Sequence, residues 1–419
     1  MFFKQFYDNN LSQASYLVGC QRTGEAIIID PVRDLTKYME VADSEGFTIT
    51  QAAETHIHAD FASGIRDVAE QLNANVYVSG EGDDELSYRN MPEQTHFVKH
   101  QDIIHVGNIK LEVLHTPGHT PESISFLLTD EGGGSSVPMG LFSGDFVFVG
   151  DIGRPDLLEK SVQMEGSTEV SAKQMYQSIE SVKDLPDYIQ IWPGHGAGSP
   201  CGKALGAVPM STLGYEKINN WAFNVTDESK FVETLTSNQP APPHHFAQMK
   251  KINQFGMNMY QPYDVFPSLD NARIAFDLRS KEAFHGGHTE GTINIPYNQN
   301  FINQIGWYLD YENSIDLIGD KSTVEQAAHT LQLIGFDNVA GYRLPKSEIL
   351  TQSIHSVDMT GKEEYILDVR NEEEWNNGHL DQAVNIPHGK LLNENIPFNK
   401  EDKIYVHCQS GVRLSLIHI

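Results

Sequence analysis

Apolar residues along this chain fall mostly in short runs, separated by polar stretches rich in glycine, proline, histidine and aspartate. Glu25–Ile29, Thr48–Ala53, Val76–Val78, Lys110–Leu114 and Ser123–Leu128 read as strands. Asp34–Glu45, Ser63–Leu72 and Ala172–Val182 carry helical spacing. Short strands alternating with helices over residues 1–245 predict an α/β fold, and their order fits an αββα sandwich. The segment Gln239-Pro240-Ala241-Pro242-Pro243 reads as a linker or stiff connector, and His244 and His245 are assigned to the same linker.

Beyond the connector the pattern occurs twice. Ala275-Phe276-Asp277-Leu278-Arg279, Glu282, Phe284, Gly287-His288 and Gly291-Thr292-Ile293-Asn294-Ile295-Pro296 form one copy. Ile366-Leu367-Asp368-Val369-Arg370, Glu374-Trp375, Gly378-His379-Leu380 and Ala383-Val384-Asn385-Ile386-Pro387 form the other. The copies differ at the next strand. Lys403–Val406 runs into His407-Cys408-Gln409-Ser410-Gly411-Val412-Arg413, a cysteine at a strand end followed by a glycine-bearing turn and an arginine. Backbone N–H groups of such a turn form an anion nest that favours thiolate and can cradle a persulfide or sulfite. A phosphatase loop usually has one more residue between cysteine and arginine. The plain alternative is a buried structural cysteine. In the first copy Ser314–Ile318 leads into Gly319-Asp320-Lys321-Ser322, where no cysteine is available. That copy is expected to be a spacer or docking surface, with Asp277 and Arg279 as scaffold.

The first region holds the other candidate chemistry. Thr55-His56-Ile57-His58-Ala59-Asp60 lies between a strand and a helix, and its alternating imidazoles and carboxylate can converge on one metal ion. His115-Thr116-Pro117-Gly118-His119, Ser143-Gly144-Asp145 and Trp192-Pro193-Gly194-His195 each follow a short apolar run. Any one of these alone reads as a solvated loop residue. Together they suggest a site at strand ends, with ligands that suit zinc or iron rather than calcium or magnesium. His96, His100 and His105 have no partner pattern, His115 is expected to bond locally, and Asp151 reads as a loop residue.

Composition adds bounds. The 419 residues predict two or three domains. A net charge of −28 argues against nucleic acid or an anionic membrane as partner. No apolar run approaches membrane-spanning length and Met1-Phe2-Phe3-Lys4 lacks a signal-peptide layout, so a cytoplasmic location is expected. Three cysteines, Cys20, Cys201 and Cys408, are too few and scattered for a disulfide framework. Cys20 reads as an ordinary turn residue.

In their order, the four strand-end loops resemble the metallo-β-lactamase superfamily. Two-metal members continue the first motif as H-x-H-x-D-H, but here the last position is Phe61, which cannot ligate. The sequence is similar instead to the persulfide dioxygenases of that superfamily, which also share a string like Gly153-Arg154-Pro155-Asp156-Leu157. The resemblance implies a single Fe(II) held by His56, His119 and Asp145, with His58, Asp60 and His195 supporting them or serving as alternative ligands. The D-x-R, G-H and N-I-P strings resemble the rhodanese module, and the whole is similar to persulfide dioxygenase–rhodanese fusions with an extra cysteine-less rhodanese domain. Residues 1–245, 262–355 and 356–413 are the expected domains.

The activity so implied is oxidation of a low-molecular-weight thiol persulfide by dioxygen to sulfite and thiol. Cys408 would then pass sulfur to sulfite to give thiosulfate. Arg154 is the candidate for holding substrate or orienting the site, and Arg413 for binding the anion. Cys201, in Gly196-Ala197-Gly198-Ser199-Pro200-Cys201-Gly202-Lys203, reads as a substrate-binding or persulfide-carrying thiol, with Lys203 placed to lower its pKa. An idle packed thiol is its alternative. A homo-oligomer fits this picture. The rival readings are a zinc-dependent thioester hydrolase resembling glyoxalase II and a non-catalytic sulfur-relay scaffold. After Arg413 the second copy has only Leu414-Ser415-Leu416-Ile417-His418-Ile419, where the first shows a helix and a strand. We expect the rhodanese copy to be truncated there, with residues 414–419 a non-native tail derived from a sequencing adapter.

Overall fold

The computed structural model describes residues 1–82, 86–162, 166–268, 273–346, 353, 357, 363–391, 394–399 and 402–409. The chain divides into two compact units: Met1–Pro242 with Phe246–Gln261 and Leu333–Gly335, and the remainder. Among the described residues no helix is long and apolar enough to cross a membrane.

The first unit is built on two six-stranded sheets. One runs in chain order through Phe2–Asp8, Gln13–Gly19, Glu25–Ile29, Thr48–Ala53, Asn75–Ser79 and Thr95–Val98. The other holds Ile103–Val106, Ile109–His115, Ile124–Asp130, Gly140–Gly144, Gln190–Pro193 and Ser211–Thr212, again side by side in sequence order. Their facing sides share one core, with Tyr16, Val18, Ile27 and Ile29 packed with Leu111, Val113, Phe126, Leu128, Phe142 and Trp192. Leu141 and Ile191 point to the opposite face of the second sheet, where Ala172, Met175, Ile179 and Val182 of helix Ser167–Val182 cover them. Helices Thr36–Glu45 and Ile65–Leu72 accompany the first sheet. The expected αββα sandwich is present.

Side-chain hydrogen bonds set several boundaries. Ser63 Oγ accepts from Ile65 N and Asp34 Oδ1 from Thr36 N, so both helices start two residues later than the apolar pattern suggests. The chain from Phe246 also departs from expectation. His245–Phe255 is a helix, not part of a connector, and all but its first residue group with the first unit.

Parallel pairing puts loops where chemistry needs them. Thr48–Ala53 lies parallel to Glu25–Ile29 and to Asn75–Ser79, and Gly140–Gly144 lies parallel to Gln190–Pro193. Parallel neighbours end on the same side, so the loops carrying Asp145 and His195 leave the sheet together.

The second unit contains two parallel sheets, consistent with a repeated α/β module. The first has strand order Thr292–Asn294, Ala275–Asp277, Ile315–Ile318, Val339–Arg343. The described part of the second has Ala383–Asn385, Ile366–Asp368, Tyr405–His407. The repeated residues make the same clasp in both. Arg279 donates to Asp277 and to Gly287 O, while Asn294 donates to the carbonyls of Asp277 and Arg279. Arg370, Asp368, Gly378 O and Asn385 repeat it bond for bond. A buried carboxylate is thereby paired and its strand end tied to the next strand.

Candidate functional site

The end of strand Thr48–Ala53 is held by Asp30, whose carboxylate accepts from Thr55 N at 2.7 Å and from Thr55 Oγ1 at 2.9 Å. With its proton directed at Asp30, Thr55 Oγ1 accepts from His56 Nδ1 at 3.0 Å. His119 Nδ1 lies 2.9 Å from Arg154 O, and His195 Nδ1 lies 3.0 Å from Ser12 O. A carbonyl only accepts, so Nδ1 carries the proton on each ring. In neutral His56 and His119 the lone pair is then on Nε2.

Those Nε2 atoms meet a carboxylate. Asp145 Oδ2 is 3.8 Å from His56 Nε2 and 3.4 Å from His119 Nε2. All three side chains are buried, and both nitrogens and both Asp145 oxygens lack hydrogen-bond partners. Burial, together with neighbouring His58, His119, Lys250 and His195, holds His56 well below the usual imidazole range. Burial likewise lowers His119, and it raises the Asp145 carboxyl. Lone pairs facing one another without a proton repel, and a divalent cation between them removes the conflict. The residues therefore fit a metal ion, and their ligand atoms lie within 4.8 Å of one another.

Glycines let the loops close this tightly. A Cβ on Gly194 would stand 2.7 Å from Asp145 Oδ1. One on Gly153 would collide with the Asp145 carbonyl oxygen and lie 3.1 Å from His119 Cβ.

A second group, Asp60, His195 and Cys201, also brings its ligand atoms within 4.8 Å of one another. His195 Nε2 is 3.3 Å from Asp60 Oδ2 and 3.5 Å from Asp145 Oδ1, so Asp145 faces both groups. Burial works to lower the His195 pKa, but Asp145 and Asp60 outweigh it and leave it raised. His58 belongs to neither group. Its Nε2 is 3.3 Å from Asp30 Oδ1 and 3.8 Å from Glu54 Oε1. Burial works against its charge, yet these carboxylates and Asp60 push its pKa up to about 9. Phe61, fully buried, lies against the His58 ring with centroids 4.4 Å apart.

The surroundings narrow one expectation and correct another. Arg154 is buried, and its guanidinium is engaged by Asp156 Oδ1 and Oδ2 at 2.7 and 2.8 Å and by the carbonyls of Pro200 and Pro240. Of the two roles expected of it, holding substrate or orienting the site, this geometry fits the second, through its own carbonyl on His119. Lys203 does not lower the Cys201 pKa. Its ammonium donates to Thr234 O and Ser237 O, while burial and then Asp60 and Asp145 push the buried Cys201 thiol well up. Cys201 packs with Ala59, Phe148, Leu157 and Phe246.

Other residues stand as local structure. His115 Nε2 bonds Pro121 O at 2.8 Å, and Asp151 accepts from Lys203 N, Ala204 N and Trp221 Nε1. The sequence reading missed Glu122, whose Oε1 accepts from Ile57 N, together with Lys250 and Asn253 of helix His245–Phe255. The helical spacing of Phe246, Lys250 and Asn253 was the available signal.

In the second unit Cys408 follows strand Tyr405–His407, buried with Leu367, Val369 and Ile386. Gly319 follows the matching strand of the first copy. Arg413 and residues 414–419 lie outside the described residues.

Comparison with known proteins agrees with this arrangement. The metallo-beta-lactamase superfamily matches residues 8–195, and the rhodanese-like domain matches residues 351–418. A crystallised metallo-beta-lactamase from Staphylococcus aureus subsp. aureus COL is 73% identical, with 83% of this chain and 99% of that chain covered and a TM-score of 0.79. The hydroxyacylglutathione hydrolase of Dictyostelium discoideum is 29% identical over 252 residues, 59% of this chain and 82% of its own length. ETHE1 from Myxococcus xanthus is 27% identical over 61% of this chain and 98% of that one, with a TM-score of 0.49. The chain belongs to the metallo-β-lactamase superfamily, and a rhodanese-like domain follows its metallo-β-lactamase domain.

Proposed function

We propose that the protein is a non-haem iron persulfide dioxygenase coupled to sulfur transfer. The observation that carries this reading is the facial group of two imidazoles and one carboxylate, His56, His119 and Asp145, beside a buried Phe61. Iron(II) held there would supply open coordination positions for an anionic sulfur and for dioxygen, side by side. The overall reaction is R–S–S⁻ + O2 + H2O → R–SH + SO3²⁻ + H⁺.

The chain's own contributions follow from the geometry. Asp30 through Thr55, and Arg154 through its carbonyl, fix the rings of His56 and His119 in the ligating tautomer. Phe61, Phe148 and Ala59 give the surroundings an apolar wall, which keeps a reactive sulfur species from water. In the rhodanese-like domain Cys408, carrying a sulfane sulfur as Cys–S–S⁻, would transfer it to sulfite. The S–S bond breaks, a new one forms in thiosulfate, and the cysteine leaves as thiolate. Arg413 would help bind the anion. Cys201, its thiol held protonated by burial and by Asp60 and Asp145, is read as a wall of the substrate site.

Oxygen uptake by the iron-loaded protein with glutathione or coenzyme A persulfide tests the reading. Sulfite should appear in step with oxygen consumed. Cleavage of a thioester alone, with zinc and no oxygen uptake, would sink it. That zinc hydrolase is the second reading, favoured by one observation: Asp60, His195 and Cys201 could hold a second ion without the histidine that Phe61 replaces.

A further inference from the structure

Helix His245–Phe255 lies beyond the stretch matched to the superfamily, yet one face of it is fastened to the metal-site loop. Phe246, Lys250 and Asn253 are spaced four and three residues apart, so they share that face. Phe246 packs with Ala59, Phe148, Leu157 and Cys201. Asn253 Nδ2 donates to His58 O at 2.8 Å and to Phe61 O at 2.7 Å, and its Oδ1 accepts from Ser63 N at 2.9 Å. The buried Lys250 ammonium donates to Ile57 O, next to His56. Three carbonyls of the loop are thus held from one helix.

Lys250 is more than a strut. A hydrogen bond to a carbonyl needs only a neutral donor, as Asn253 shows at His58 and Phe61 of the same loop. Burying an ammonium instead costs far more and calls for compensation. Burial lowers its pKa, the carboxylates of Glu122, Asp145 and Asp60 oppose that shift, and the ammonium acts in turn on His56 and His119. It therefore lies within electrostatic reach of both candidate metal groups.

We propose that Lys250 is a positioning residue that sets the anion affinity of the metal centre: its ammonium favours an anionic ligand, and its bond to Ile57 O keeps His56 in register. The proposal rests on the reading of His56, His119 and Asp145 as that centre. It does not depend on which reaction the centre performs.

The test uses the full-length, iron-loaded protein, with azide as an anionic probe and nitric oxide as a neutral one, both followed by visible spectroscopy. Lys250→Gln keeps a donor for Ile57 O but removes the charge. Iron stoichiometry and nitric oxide affinity should stay at the wild-type level while azide affinity falls about tenfold, the size expected for losing one charge at partly screened distance. Lys250→Arg should retain wild-type azide affinity. Equal azide affinity in wild type and Lys250→Gln would overturn the proposal while leaving the metal centre standing. Failure of the wild type to bind iron would remove both. Should Lys250→Gln not fold, loss of azide binding in a folded Lys250→Arg protein also counts against it.

Discussion

The metal group and the Cys408 strand end are built in opposite ways. His56, His119 and Asp145 come from separate loops, and both imidazoles are oriented by residues distant in sequence: His56 by Asp30 through Thr55, His119 by Arg154. Cys408 sits at the tip of one short strand, on a sheet stitched by residues of its own module. The first site is a property of the whole sandwich. The second is local, and its scaffold exists nearby in a copy with no cysteine. Long-range assembly fixes geometry closely but makes each support indispensable, whereas a local site can be gained or lost at one position.

That contrast can be broken in order of expected size. His119→Ala should abolish iron binding by metal analysis and bring oxygen uptake to background, leaving thiosulfate formation from supplied sulfite and persulfide untouched. Cys408→Ser should do the reverse, and residual sulfur transfer there would show that the strand end is not the carrier. Phe61→His should raise metal content toward two equivalents, at a stability cost of about 2 kcal/mol for a polar ring in an apolar slot. Unchanged stoichiometry would mean that Phe61 does not decide nuclearity. Thr55→Val removes the acceptor for His56 Nδ1 and should weaken metal affinity about tenfold, measured by competition with a chelator.

The smallest effect concerns acid. Burial raises the Asp156 carboxyl, but Arg154 and Lys160 outweigh it and hold it below the usual carboxylate range. Because the folded value is the lower one, its contribution to stability is fully present above about pH 4, the unfolded value, and is lost as pH falls through the folded value. Asp156→Asn should flatten the acid limb of a denaturation series in that window. An unchanged limb would show that the Arg154 anchor does not couple to pH.

Much of this was legible in the amino-acid order. Candidate ligands just past strands reveal themselves because a short apolar run must end before a buried polar group can turn inward, and His56, His119 and Asp145 all do. The duplicated clasp was legible because both copies use the same residues at matched spacing. What failed had physical reasons too. Arg154 looked like a free cation because the carbonyls of Pro200 and Pro240 that close round it come from distant loops, and because its pairing with nearby Asp156 was overlooked. Lys203 is adjacent to Cys201 in sequence, yet its ammonium turns to Thr234 and Ser237. Helix His245–Phe255 was masked by prolines just before it, and so Lys250 and Asn253 went unseen.

The clasp of aspartate, arginine and asparagine has one more consequence. The clasp fastens each module without using the side chain at the position that Cys408 or Gly319 occupies, so the fastening does not depend on which residue stands there. A duplicated gene segment with such fastening can vary at that position in one half and remain foldable, which makes Gly319 a natural place to graft a nucleophile.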